Sequence, residues 1–272
     1  MRIGTSPADT GRKTAVNDLG VARYSDLVGA AVFVSGGATG IGADLVEGFC
    51  LQGAATVFVD IDAAAGEALS ERLAVETGKR PRFIAADVTD DDALRAAIDV
   101  AEGLGDGLAV LVNNAANDQR HEVGAVDPAF WERCVAVNLR HQFVAAQHAF
   151  GLMKPRGHGS IINFGSVAPT LRVRDLTVYS TCKSAVRGLT RSLAREFGDH
   201  GIRVNSIVPG CILTEKQLEL WITPEDEQRI LAEQCLHRRL IGRDVAQMAL
   251  FLASEVSSGC SSQEFVVDGG LA

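Results

Sequence analysis

From residue 31 to the end of this 272-residue chain, short β-branched runs alternate with longer alanine-rich amphipathic segments. "AVFVSG" (31–36), "ATVFVD" (55–60), "RFIAAD" (82–87), "LAVLVNN" (108–114), "SIINFGS" (160–166), "IRVNSIVPG" (202–210) and "EFVVDGG" (264–270) read as seven strands. Most of these runs are nearly continuous in apolar residues and do not alternate apolar with polar. Strands of that kind are buried on both faces, as happens when helical crossovers cover both sides of a parallel sheet. Helical patterns fill the gaps, among them 41–52, 63–77, a long one at 128–153 and another at 178–198. The pattern predicts one doubly wound α/β domain over residues 25–272, with a seven-stranded parallel sheet and helices on both faces. Residues 1–24 read as a flexible arm with no role to assign.

Composition removes several function classes. A hydrophobic fraction of 47% is ample for a core. The formal charge of −8 gives no electrostatic reason to bind nucleic acid or an anionic membrane. No apolar run approaches the roughly eighteen residues of a membrane span, and the N-terminus lacks the apolar stretch of a secretory signal. The six cysteines (Cys50, Cys134, Cys182, Cys211, Cys235, Cys260) form no CxxC and do not pair with histidines at zinc-ligand spacing. Free thiols in the cytoplasm, with no metal, are the expectation.

Two short stretches carry chemistry. "SGGATGIG" (35–42) follows the first strand and opens the first helix. Gly36, Gly40 and Gly42 let the backbone turn tightly and approach a pyrophosphate, and the helix N-terminus offers N–H groups to it. Asp60 ends the second strand, eighteen residues past Gly42, where a carboxylate can accept both ribose hydroxyls of NAD. A 2′-phosphate there would meet a like charge, so NAD is the expected cofactor over NADP. The second stretch is "VYSTCK" (178–183), in which Tyr179 stands one helical turn before Lys183. A free tyrosine has a pKa of about 10 and is a poor base at neutral pH. A lysine ammonium beside it favours the phenolate.

The turn spacing S/T-G-x(3)-G-x-G, with "NNAA" (113–116), "YSTCK" (179–183) and "PGCILT" (209–214), resembles the short-chain dehydrogenase/reductase family, which has a Rossmann fold. The resemblance covers about residues 25–272. It implies a catalytic set of Asn138, Ser166, Tyr179 and Lys183. Ser166 would donate to the substrate oxygen, Tyr179 take its proton, and Asn138 bond backbone and water in a relay toward Lys183. It also implies a cofactor site of Gly36, Thr39, Gly40, Ile41, Gly42, Asp60, Ile61, Asp87, Val88, Asn114, Pro209, Gly210, Ile212 and Thr214, with Tyr179 and Lys183. The sequence departs from the family pattern at Ser35, at Ala116 and in "CSSQEFVVDGG" before the last strand, a region that in the family helps subunits associate.

Specificity in this fold lies in loops beyond the carboxyl ends of the strands. "NDQRHE" (117–122), "VAPTLRVRDLT" (167–177) and "CILTEKQLELWITPEDEQ" (211–228) are polar, with one tryptophan, and suit a polyhydroxylated ring. Asn117, Gln119, Arg120, His121, Cys211 and Trp221, with Ser166 and Tyr179, are the candidate substrate contacts. "NNAANDQRHEV", "VNLRHQF", "INFGSV" and "QCLHRRL" are most similar to the aldose 1-dehydrogenase branch of the family. That implies hydride transfer from the anomeric carbon of an aldose, a pentose or 6-deoxyhexose, giving an aldonolactone. The alternatives are another activity of the family, such as a 3-oxoacyl carrier-protein reductase, or a non-catalytic cofactor-binding sensor. The helical patterns at 128–153 and 178–198 carry apolar residues on more than one face, and the resemblance implies that such helices pair in a homotetramer.

Overall fold

The computed structural model describes residues 22–272. Six crossovers build the sheet. β1 (Ala31–Ser35) leads through α1 (Gly40–Gln52) to β2 (Ala55–Asp60), then through α2 (Ala63–Thr77) to β3 (Arg82–Ala85). α3 (Asp91–Glu102) returns the chain to β4 (Leu108–Asn113) beside β1. α4 (Pro128–Val135) and α5 (His141–Met153) precede β5 (Gly159–Phe164), and α6 (Ala168–Leu171) and α7 (Thr177–Phe197) precede β6 (Ile202–Pro209). α8 (Glu215–Leu220), α9 (Pro224–Glu233) and α10 (Gly242–Ala253) precede β7 (Glu264–Val267). The strand order is β3-β2-β1-β4-β5-β6-β7, and the paired strands of the described residues are all parallel. The winding reverses between β1 and β4, where open α/β sheets part to form a crevice.

The apolar strand runs are explained by two cores. Val32 and Val34 face a cluster with Leu45, Phe49, Leu73 and Leu250, while Phe33 between them faces Leu94, Ile98, Ala149 and Phe197. Successive side chains point to opposite faces, so a strand with a core on each side has no solvent position. α1, α2 and α10 cover one face, and α3, α5 and α7 the other.

Three readings need adjustment. The 128–153 pattern is not one helix: a π turn at Ala136–Arg140 separates α4 from α5. The outward positions of α7, among them Ser184, Ala185, Arg187, Gly188 and Arg191, are small or charged. The expected second apolar face is therefore missing from this helix, although Trp131 on α4 and Phe143 on α5 are 42% and 44% exposed. Residues 1–21 of the expected arm lie outside the described residues. Residues 22–24 hold the end of α1, where Gln52 Nε2 donates to the Ala22 carbonyl at 2.8 Å and Gln52 Oε1 accepts from the Tyr24 N–H at 2.9 Å.

His141, the first residue of α5, is fully buried. Burial, with the Lys183 ammonium adding to it, pushes its pKa down from 6.5 to about 3, and the nearby Val137 and Ala136 carbonyls do not offset this. Between those two values the unfolded chain binds a proton that the folded chain refuses. Stability should therefore be complete above pH 6.5 and decline as pH falls toward 3, by about 1.4 kcal/mol per pH unit from this group. Urea unfolding at several pH values, compared with His141→Leu, should give a flatter profile in the variant. Parallel profiles would show that His141 is not held neutral.

Candidate active site

A cleft of about 2000 Å³ opens at the carboxyl ends of the strands, over the point where the winding reverses. The strand runs read from sequence extend past the observed ladder at this end, and the overrun is informative. Gly36, Asp87, Asn114, Ser166 and Gly210 leave the sheet and line the cleft. Of the residues singled out by sequence, all line it except Asn138 and His121.

The glycine turn fits a dinucleotide pyrophosphate. A Cβ on Gly42 would meet the Gly36 carbonyl oxygen at 1.8 Å, and one on Gly36, at φ +65°, would meet Ala115 Cα at 2.7 Å. Thr39, the N-cap of α1, makes no side-chain capping bond, and the first turn of α1 carries no acidic residue. The N–H groups that other helices of this chain spend on Asp62, Asp90 or Asp127 are thus left for an anion. Ser35 and Asn114 hold the turn in place. Ser35 Oγ accepts from the Asn114 and Ala115 N–H groups at 3.1 and 3.2 Å, and Asn114 Nδ2 donates to the Ser35 and Gly36 carbonyls at 3.1 and 2.7 Å. The serine in place of the family's threonine therefore keeps the hydroxyl that does this.

Asp60 sits at the far end of the cleft, where Oδ2 accepts from Ala38 N–H at 3.0 Å and Oδ1 from Asp62 N–H at 3.1 Å. Ile61 beside it is exposed. One cation that sequence spacing missed, Arg72, also lines this end, but it is ion-paired to Glu47 at 3.2 Å and Glu76 at 2.7 Å. Asp87 accepts from the Thr89 N–H and hydroxyl, both at 2.8 Å, which fixes the turn carrying buried Val88. On the other side, Pro209 ends β6, Gly210 follows, Ile212 bridges to Leu240, and Thr214 caps α8 by accepting from the Gln217 N–H at 3.3 Å. The Thr214 methyl approaches the Cα of Gly40, where an added Cβ would lie 3.2 Å from it.

Tyr179 and Lys183 lie on the first turns of α7, with the Lys183 Nζ 5.7 Å from the phenol ring centroid. Lys183 is buried and donates to the Phe164 carbonyl at 2.9 Å. Burial pushes its pKa down to about 8, against the nearby Cys182, Asp118 and Cys134. Burial also raises the Tyr179 phenol above its ordinary value, and a hydrogen bond from the Ser166 side chain works in the opposite direction. In the protein by itself burial sets the direction, so the acidic phenol expected from the sequence needs the positive charge of a bound cofactor as well as Lys183. Ser166 Oγ accepts from the Ala168 N–H at 3.1 Å, which aims the hydroxyl along the cleft floor.

Asn138 lies beneath that floor, in the π turn and fully buried. Its Oδ1 accepts from Asn117 N–H at 2.9 Å, and its Nδ2 donates to the Asn117 carbonyl at 3.0 Å and the Cys134 carbonyl at 2.9 Å. The asparagine that is unfavourable in a helix is here a clamp on the loop after β4, and π turns of this kind are frequent at functional sites.

His121 does not face the cleft, a correction to its expected substrate role. Its Nδ1 bonds the Gln119 carbonyl at 3.1 Å, its Nε2 accepts from the Val178 N–H at 3.2 Å, and its ring packs on Phe130. It ties the loop to the start of α7. Asn117, Gln119 and Arg120 do line the cleft, with Cys211 and Trp221 opposite. The Arg120 guanidinium lies over the Trp221 ring, 5.7 Å from its centroid, and the indole Nε1–H is buried with no hydrogen-bond partner among the described residues. Burial raises the Cys211 thiol to about 11, so it is not a thiolate at neutral pH. Among the described residues no cluster suited to a metal ion occurs, and no helix is long and apolar enough to cross a membrane.

Comparison with known proteins places this geometry. The family described as Enoyl-(Acyl carrier protein) reductase matches residues 36–272. The chain belongs to the short-chain dehydrogenase/reductase family, oxidoreductases of CH–OH groups. "Probable galactose dehydrogenase GalD" of Rhizobium meliloti (strain 1021) is 45% identical over 249 residues, 92% of this chain and 97% of that protein. "D-xylose 1-dehydrogenase" of Caulobacter vibrioides (strain NA1000 / CB15N) is 43% identical over 247 residues, 91% and 97% of the two chains. Among solved structures, a 7α-hydroxysteroid dehydrogenase complexed with NADH and 7-oxo glycochenodeoxycholic acid aligns with a TM-score of 0.84 at 32% identity, covering 90% of this chain and 94% of that one.

Proposed function

We propose that this protein is an NAD-dependent aldose 1-dehydrogenase, oxidising the anomeric CH–OH of a cyclic sugar to a lactone. What carries the sugar reading is the similarity, over nearly the full chain, to the galactose and D-xylose dehydrogenases, joined to a cleft whose substrate end presents Asn117, Gln119, Arg120 and Trp221. A bound NAD would accept the hydride and bring a positive charge beside the phenol. Gly36, Thr39, Gly40, Ile41 and Gly42 would hold its pyrophosphate, Asp60 and Lys183 its ribose hydroxyls, Asp87 and Val88 would border the adenine, and Thr214 would reach the carboxamide. Ser166 donates to the anomeric oxygen and Tyr179 takes its proton. The proton leaves toward Lys183, while Asn138 keeps Asn117 and the loop after β4 in register. Trp221 offers an apolar ring face and an unsatisfied N–H to the distal hydroxyls. The assembly we infer is a homotetramer, and the compartment the cytoplasm.

The test is a panel of aldoses with NAD and NADP. A site built around hydroxyls leaves buried polar groups unpaired when one is misplaced, so epimers differing at one carbon should differ in kcat/KM by well over about tenfold. Trp221→Ala should raise KM more than it lowers kcat, since ring contact is similar in ground and transition states. NAD should be preferred, and Asp60→Ala should relax that preference mainly by weakening NAD. Turnover of a 3-oxoacyl thioester but of no aldose would overturn the substrate assignment, and equal wild-type use of NADP the cofactor assignment.

A further inference from the structure

Asp118 sits between Asn117 and Gln119 and lines the same cleft. Its Oδ2 accepts a hydrogen bond from Gln217 Nε2 at 2.7 Å, across 99 positions of sequence. Gln217 belongs to α8, whose capping residue Thr214 lies beside Gly40 of the glycine turn, 3.2 Å from where a Cβ there would stand. This bond therefore joins the loop on the floor of the cleft to the segment that roofs it, beside the contact of Arg120 with Trp221. We propose that Asp118 is a positioning residue: clasped by Gln217, it holds the α8 lid over the cleft and sets the electrostatic field around Tyr179 and Lys183.

The charges facing that pair can be named. From the loop after β4 come Asp118, which favours the protonated form of both groups, and Arg120, which favours the phenolate. Cys134 on α4 acts on both in the same sense as Asp118. Ser166 after β5 bonds the phenol, Cys182 on α7 supports the ammonium, and His141 on α5 is neutral. Asp118 is the carboxylate of this set. A fully desolvated ammonium needs such a partner to stay charged at neutral pH, and Asp118 supplies that charge from the loop after β4.

The inference rests on the proposed proton transfer at Tyr179, not on which alcohol is oxidised. Its test uses the cofactor-free protein and two variants. Asp118→Asn keeps an acceptor for Gln217 but removes the charge, and Gln217→Leu removes the clasp but keeps the charge. The chain has two tyrosines, so ultraviolet titration of each protein against its Tyr179→Phe counterpart isolates one phenol. In Asp118→Asn that phenol should titrate lower by about half a pH unit or more, with trypsin cleavage at Arg229, in α9 directly after the lid, within about twofold of wild type. In Gln217→Leu the phenol should stay within about 0.3 unit, and that cleavage should accelerate several-fold. An unmoved phenol in Asp118→Asn overturns the electrostatic role, and unchanged cleavage in Gln217→Leu overturns the clasp. Wild-type protein inactive on every aldose would sink the sugar reading alone, since neither readout involves turnover.

Discussion

Tyr179→Phe should lower kcat by about 10²–10⁴-fold, the range of general-base loss, while dinucleotide affinity changes little. The substitution keeps the ring that Lys183 Nζ approaches at 5.7 Å from the centroid and removes only the hydroxyl that meets Ser166. Burial holds the phenol above its ordinary value in the cofactor-free protein. Its direct titration should therefore lie above the free-tyrosine value of about 10. Sugar oxidation consumes the phenolate, so activity should rise with pH. The rise in kcat should fall below the cofactor-free titration, because a bound cation brings the phenol down. Steady-state kinetics across pH with NAD in excess, beside the ultraviolet titration, measures both. A Phe variant retaining more than about a tenth of wild-type kcat would remove Tyr179 from its assigned role.

The second large effect is expected in α1, where two glycines six positions apart should respond oppositely. Gly42→Ala places a Cβ 1.8 Å from the Gly36 carbonyl oxygen and 2.9 Å from Asn114 Nδ2, which the backbone cannot accept unmoved. The turn must open. Stability should drop by about 1–3 kcal/mol as in other overpacked sites, and NAD binding should be lost with it. At Gly48, also within α1, the new Cβ would meet Leu250 and Ala246 at 3.6 and 3.7 Å, which is ordinary contact. Gly48→Ala should be neutral or stabilise by up to about 1 kcal/mol, since glycine is costly in a helix interior. Denaturant unfolding and NAD titration of the two variants provide the comparison. Equal behaviour would mean that the turn is not the tight cradle described.

Much of this site is legible in the sequence. Gly36, Gly40, Gly42 and Asp60 follow from a strand, a turn and a helix contiguous in the chain. Tyr179 and Lys183 follow from one turn of helix. The alignment of Ser166 and Asn138 with them came from family resemblance, since no local period ties residues so far apart. Six of the seven strands end earlier than the sequence suggests, because the residues that follow, such as Gly36, Asn114, Ser166 and Gly210, carry no local signal of where the ladder stops. After β1, β3, β4, β5 and β6 those extra residues line the cleft, where the backbone leaves the sheet.

What the sequence determined by itself was whatever rests on short-range regularity: seven strands buried on both faces, the helices between them, and the tight glycine turn that opens α1. Tertiary structure decided the rest, because it depends on contacts between distant segments. His121 turned away from the cleft because the Val178 N–H, 57 positions on, is its partner. Asn138 became a clamp because a π turn pointed it at Asn117, 21 positions earlier. Asp118, unremarkable in a polar loop, gained its place from Gln217 across 99 residues. Loop side chains have no period to read. Their orientation is set by whichever distant donor or acceptor the fold brings within hydrogen-bonding distance, and only the assembled sheet brings those partners together.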